Sequence, residues 1–384
     1  MTKQPLFITW QPVLTDHQAF TYEALSQQAQ TPLLAYVLTM EDATRRAQGW
    51  QDTQVTSIER RLIPQRGGML YCYRKMREHR HEVHLFGSAF QNLKMLYCLM
   101  LAVLFRVEFY IISEPYSPIA QGYFNDKLRT REKLKAALRP CLYRLYTALL
   151  KRHISGVFTI SAKAIEQYST SGIAKNKLFP FGYFVPAIGA LASNSKDPGE
   201  DDTTLRIVFV GALIARKGID LLIEAVTRSK APIILDIYGP GDSTLLAFDS
   251  DRIHLRGTIP FGMTQKVVSE YDILVLPSRY DGWGVVVNEA LCAGVPVICS
   301  DQVGARVLVE TFGAGDVFVA DDPDSLESLI SALHTDRTRL LTMRAATSRA
   351  AAAIQPEVAA RYMLAVIRAN PQSKAAVISP WYLE

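Results

Sequence analysis

Two carboxylates, Asp281 and Glu289, bracket a Gly-Trp-Gly turn in the stretch DGWGVVVNEALCAGVPVI, residues 281 to 298. The aliphatic run between them predicts a helix starting near Gly284, so that main-chain N–H groups at Gly284, Val285 and Val286 are left to meet an anion with the helix dipole behind them. Carboxylates in turn accept hydrogen bonds from paired hydroxyls, such as those of a ribose or a hexose. A second corner, GALIARKG (211 to 218), follows the apolar run RIVFV. There Gly211 permits a close turn, Arg216 and Lys217 are adjacent cations, and Gly218 opens another helix whose amino end favours anions. On its own this corner also reads as a solvated Arg-Lys turn. Taken with the first, it describes a site for a nucleotide-sugar.

These corners need strands to carry them. Apolar runs at 206–210, 233–238, 253–256, 273–277 and 295–300 alternate with helical patterns, and the region 324–369 reads as helical. Continuous apolar strands alternating with helices predict a parallel sheet covered on both faces, with ligands at the carboxyl ends of the strands. The first half repeats the alternation more weakly, with strands expected at 7–10, 33–38, 82–87, 107–113 and 156–161 and helices near 18–29, 90–104 and 127–152. The expectation is α/β, two Rossmann-like domains facing each other across a cleft. Residues 1–182 would form the first domain, 183–204 a linker rich in Pro, Gly, Ser and acids, and 205–365 the second. Residues 366–384 would be a tail packing back on the first domain.

Bulk properties narrow the class. A chain of 384 residues, 49% hydrophobic and 21% charged, is large enough for two cores. Five scattered cysteines show no CxxC pair and no metal spacing, which favours a reducing compartment and argues against disulfides or zinc. The amino terminus lacks the pattern of a secretory leader, so a cytoplasmic location is expected. The apolar run at 95–105 is too short to span a bilayer. Neither a P-loop nor a GxGxxG fingerprint occurs, which disfavours a nicotinamide oxidoreductase.

The second half resembles the GT-B glycosyltransferases, in particular the retaining family 4 (glycosyl transferases group 1). The resemblance rests on FVGALIARKGIDLLIEAV (209 to 226), LRGTIP (255 to 260) and SRYDGWGVVVNEALCAGVPVICSD (278 to 301), in that order. It implies that Arg216 and Lys217 bind the donor diphosphate and that Glu289 holds the ribose. Asp281 would contact the transferred sugar, the amides of Trp283, Gly284 and Val285 its oxygens or phosphate, and the loop at Gly257 and Thr258 the base. The donor would be UDP- or GDP-linked, and neither a metal nor another cofactor is expected. The implied acceptor is a glycan or a lipid-linked sugar, in cell-surface polysaccharide or glycolipid assembly. Two positions depart from the family pattern: Ala212 stands where many members have Arg, and Asp281 replaces the usual Glu. These departures keep a second reading open, a nucleotide-sugar-binding protein or partner subunit without transferase activity.

The first half offers less. Glu114, in ISEPYSP after a strand, is an acceptor-side candidate facing the sugar and equally reads as a surface Glu before Pro. His17, expected in the first loop, is a second acceptor-side candidate beside the plainer reading of a structural His. Charge is uneven: residues 1–180 carry 24 Lys and Arg against 13 Asp and Glu, the remainder 18 against 24. Residues 127–152 hold nine Lys and Arg and one Glu among Leu and Tyr. Such a helix suits an anionic membrane surface, a peripheral attachment at the inner face, or simply solvent. No stacking platform or groove-reading motif suggests nucleic acid.

Overall fold

The computed structural model describes residues 7–40, 55–87, 90, 92–117, 130–188, 204–241, 251–260 and 262–382. Most of the expected linker (189–203) and the first residues of the basic segment (127–129) lie outside them.

The first half carries strands β1 (Phe7–Gln11), β2 (Leu33–Val37), β3 (Glu59–Leu62), β4 (Val83–Gly87), β5 (Glu108–Ser113), β6 (Gly156–Ile160) and β7 (Leu178–Phe181). Its helices are α1 (Asp16–Ala29), α2 (Gly68–Glu78), α3 (Leu93–Leu104), α4 (Thr130–Leu150) and α5 (Ala162–Ser171). The second half carries β8 (Leu205–Val210), β9 (Ile233–Tyr238), β10 (Ile253–Gly257), β11 (Ile273–Leu276), β12 (Val297–Ser300) and β13 (Gly315–Phe318). Between and after them run α6 (Ile219–Arg228), α7 (Thr264–Val268), α8 (Val285–Cys292), α9 (Arg306–Phe312), α10 (Pro323–Thr335), α11 (Arg337–Ala353) and α12 (Pro356–Arg368).

Each half builds one parallel sheet. The first is ordered β3-β2-β1-β4-β5-β6-β7, the second β10-β9-β8-β11-β12-β13. Central strands are apolar throughout because helices cover both faces: Ile207, Val208 and Phe209 in β8 and Leu274 and Val275 in β11 are fully buried. Each such side chain contributes about 1.5–3 kcal/mol of burial energy. Three strands went unread in the sequence, and all lie at sheet edges. β3 is ERRL, charged and partly exposed; β7 contains Pro180, which an edge tolerates; β13 is the short GDVF.

The two halves are joined by more than the linker. After β7, the amides of Ala187 and Ile188 donate to Gln355 Oε1 and Gln265 Oε1, both at 3.0 Å, and Gln265 Nε2 donates to Pro186 O at 2.8 Å. Helix α12 packs on α1, where Gln28 Nε2 donates to Glu357 O at 2.7 Å. The tail then runs over the first sheet. Lys374 donates to Tyr110 Oη and lies 3.8 Å from Glu108, and buried Trp381 packs at a tilt on Phe184 with ring centres 4.4 Å apart.

Candidate functional site

The strand order of the second sheet reverses between β8 and β11, so their carboxyl ends flank the crevice where ligands of open α/β sheets bind. The two sequence corners emerge side by side there. After β8, Ala215–Lys217 forms a single 3-10 turn, and Gly218 follows at φ +67°. A Cβ at Gly218 would strike Pro277 O at the end of β11, so the close approach of the two corners needs glycine twice over, for φ and for space.

Charge then fastens one corner to the other. Lys217 Nζ pairs with Asp281 Oδ2 at 2.5 Å, both side chains largely buried, and Arg216 Nη1 donates to Tyr280 O at 2.9 Å. Arg279 works from the same loop. Its amide donates to Arg216 O at 2.9 Å, and its guanidinium grips both oxygens of Asp220 (2.8 and 2.6 Å), Asp321 Oδ1 (2.6 Å) and Ala215 O (2.6 Å). Bidentate pairing of this kind fixes geometry as well as adding energy. Arg279 therefore holds the turn that aims Arg216 and Lys217. Sequence reasoning passed over it, although a basic residue two before Asp281 and an acid in the first turn of α6 were both in view.

Helix α8 begins at Val285 after Gly284. No described residue accepts from the main-chain N–H of Trp283, Gly284 or Val285, which leaves these donors at the crevice. The Trp283 indole points elsewhere: it is buried, donates to Asn288 Oδ1 at 2.8 Å, and packs where Gly182 leaves room. Glu289, just over one turn along α8, is half-buried, and burial pushes its carboxyl up to about 7 against a weaker opposing hydrogen bond from Thr264. Gly257, the last residue of β10, and Thr258 after it are exposed, and Gly257 O accepts from Gly239 N at 2.8 Å.

The first domain reaches this loop at one place. Tyr280 Oη donates to Pro115 O at 3.1 Å, and the neighbouring Glu114 lies against Gly282, where a Cβ would stand 2.5 Å from Glu114 Oε2. Glu114 is thus brought to the loop of Asp281 and Gly282 across 168 positions of sequence. His17 needs a correction: it is not in a loop but is the second residue of α1, because Thr15 starts the helix. It is buried, its Nε2 is 3.0 Å from Thr15 Oγ1, and its ring is 4.2 Å from that of Tyr183. It stands beside the crossing chain rather than beside Asp281.

Residues 192–353 match the family model "Glycosyl transferases group 1". Among curated proteins, the chain is 32% identical over 170 residues to a GDP-mannose-dependent monoacylated alpha-(1-6)-phosphatidylinositol monomannoside mannosyltransferase of Corynebacterium glutamicum, covering 40% of this chain and 44% of that protein. It is 27% identical over 134 residues to O-antigen chain mannosyltransferase B of Escherichia coli, covering 32% and 34%. The chain thus matches less than half the length of these relatives. Among solved structures it is similar to Anabaena Alr3699/HepE in complex with UDP, with a TM-score of 0.68 at 13% identity over 95% of this chain and 99% of that one. It is also similar to the apo form of the lipopolysaccharide outer core galactosyltransferase WaaB, with a TM-score of 0.69 at 14% identity over 94% and 99%. The chain has the GT-B fold, and its second half is similar to the group 1 glycosyl transferases over the matched residues.

Proposed function

We propose that this protein is a retaining glycosyltransferase that moves a sugar from a UDP- or GDP-linked donor to a glycan or lipid-linked acceptor. The observation that carries the reading is the junction of the two corners, with Arg216 and Lys217 on one side, the open amides of α8 on the other, and Asp281 and Glu289 at its ends. A nucleoside diphosphate binds there with its phosphates between the cations and the helix start, its ribose at Glu289 and its sugar at Asp281. The Lys217–Asp281 pair opens on binding, with the ammonium turning to phosphate and the carboxylate to sugar hydroxyls. The charge developing on the leaving diphosphate is met by two cations and a helix dipole, so the mechanism needs no metal. The sugar departs and is attacked on the same face, the leaving phosphate oxygen taking the acceptor proton, with Glu114 facing the sugar from the first domain. The related proteins named for GDP-mannose and the neighbour bound to UDP leave both bases as candidates.

The acceptor side involves α4. Leu134, Leu138, Leu142, Leu145 and Leu149 are all exposed and share one face, opposite buried Tyr143, Thr147 and Leu150, with exposed Arg144, Lys151 and Arg152 nearby. An exposed apolar row flanked by cations suits an anionic bilayer surface and, with it, a lipid-carried acceptor at the inner face of a membrane. No helix among the described residues is long and apolar enough to cross a membrane.

A thermal-shift panel of nucleotide-sugars, followed by transfer assays, tests the donor reading: one donor should raise the melting temperature, and raise it further as its concentration climbs above its dissociation constant. Donor binding without turnover on any acceptor points instead to a binding protein. Sedimentation with phosphatidylglycerol vesicles should show binding that weakens in high salt and in Leu142→Ser; no association in low salt removes the membrane reading.

A further inference from the structure

A cavity of about 330 Å³ lies at the seam between the domains, where Gly304 in its wall donates its amide to Asp281 O at 3.0 Å. Its walls come from the start of α5 (Ser161, Ala162, Lys163) and from the loop after β12 together with α9 (Asp301, Arg306 and Glu310 among them). Ser161 occupies the position where serine normally caps a helix by accepting an N–H of the first turn. Here it does not. Its backbone sits at φ +83°, ψ 159°, a region that is essentially glycine's, and no cap hydrogen bond forms. The hydroxyl is buried, the residue 1% exposed, and it has no partner among the described residues. The amides of Ala162 and Lys163 likewise find no described acceptor.

Two cations face this end. Lys163 rests on Gln302 Oε1 and over the Tyr280 ring at 5.3 Å, and Arg306 makes no side-chain hydrogen bond to a described residue. Burial holds the Lys163 ammonium below its usual range, and Arg306 adds to this by repulsion while Asp301 and Glu166 oppose it. Of the two carboxylates in the wall, Asp301 is already engaged by the amide of Ala320 at 2.9 Å and by Gln302 Nε2 at 3.0 Å; Glu310 is exposed. We propose that this seam cavity binds a compact oxyanion of the phosphate class, held by the Ser161 hydroxyl, the amides opening α5, Lys163 and Arg306. Such a ligand bridges the first domain to the second and ties α5 to α9. Glu310 stands ready to accept hydroxyls if the phosphate arrives on a hydroxylated compound.

The test is calorimetric titration of inorganic phosphate into full-length Arg216→Ala, whose donor corner is weakened for anions. One site should remain, and adding Lys163→Met or Arg306→Ala should lower its affinity about tenfold, the loss expected for a charge-assisted hydrogen bond. Ser161→Gly should weaken binding severalfold and yet raise the melting temperature by about 2–4 °C, because glycine relieves the backbone strain. Tighter binding of glycerol 3-phosphate than of inorganic phosphate identifies a phosphorylated hydroxyl compound as the ligand, and equal binding a free anion. Absence of phosphate binding to Arg216→Ala, or affinity unchanged by Lys163→Met and Arg306→Ala, overturns the proposal.

Discussion

The two sides of the cleft are built differently. On the second domain, Lys217 is paired with Asp281, Arg216 with the Tyr280 carbonyl and Arg279 with Ala215 O, and glycines press the two corners together. On the first, Glu114 reaches the cleft from the end of one strand, and His17 is packed into the first turn of a helix. The second-domain side is organised around a charge pattern already assembled from its own residues. The first-domain side is mostly shape, carried by the chain path.

If that contrast is right, the largest losses fall on the second domain. Lys217→Ala and Arg216→Ala are each expected to lower transfer by about 10²–10³-fold, as for removal of one preorganised group that stabilises transition-state charge, measured as release of nucleoside diphosphate. Unaltered rates in both would sink the donor assignment. Next comes Arg279→Ala, which touches no ligand in this reading but frees the Ala215–Lys217 turn. A loss of about tenfold in kcat/KM is expected from misplaced cations, with Arg279→Lys restoring only part because it cannot grip Asp220 bidentately. Glu114→Gln sharpens the comparison from the other side: kcat should fall while donor affinity, read by titration, stays close to the parent's. An equal drop in donor affinity would move Glu114 to the donor side.

The smallest effect is one of stability. Burial pushes the Glu289 carboxyl up to about 7 in the folded protein, whereas the unfolded chain ionises it near its ordinary 4.5. A carboxyl raised in this way loses stability as pH climbs between those two values. Glu289→Gln should therefore gain on the parent by about 2–3 kcal/mol between pH ~4.5 and pH ~7 in urea denaturation without donor. Donor binding by the parent should strengthen over the same range, since the ionised carboxylate is the better acceptor for ribose hydroxyls.

The legible parts were those written in contiguous residues. GALIARKG and DGWGVVVNEA each hold a strand end, a turn and a helix start within about ten positions, so their local geometry follows from glycine placement and apolar spacing. The central strands were legible for a similar reason, since burial on both faces demands unbroken apolar runs. The edges β3, β7 and β13 were not, because an edge strand escapes that demand and can carry Arg, Pro or Asp.

What no local pattern records is which distant residues meet. The pairing of Lys217 with Asp281 spans 64 positions, Glu114 meets Gly282, and Ser161 comes to the same cavity as Arg306 and Tyr382. Strand order and the packing of one domain on the other create these contacts. Periodicity reports only that a side chain must be buried, and the folded chain path chooses its neighbours.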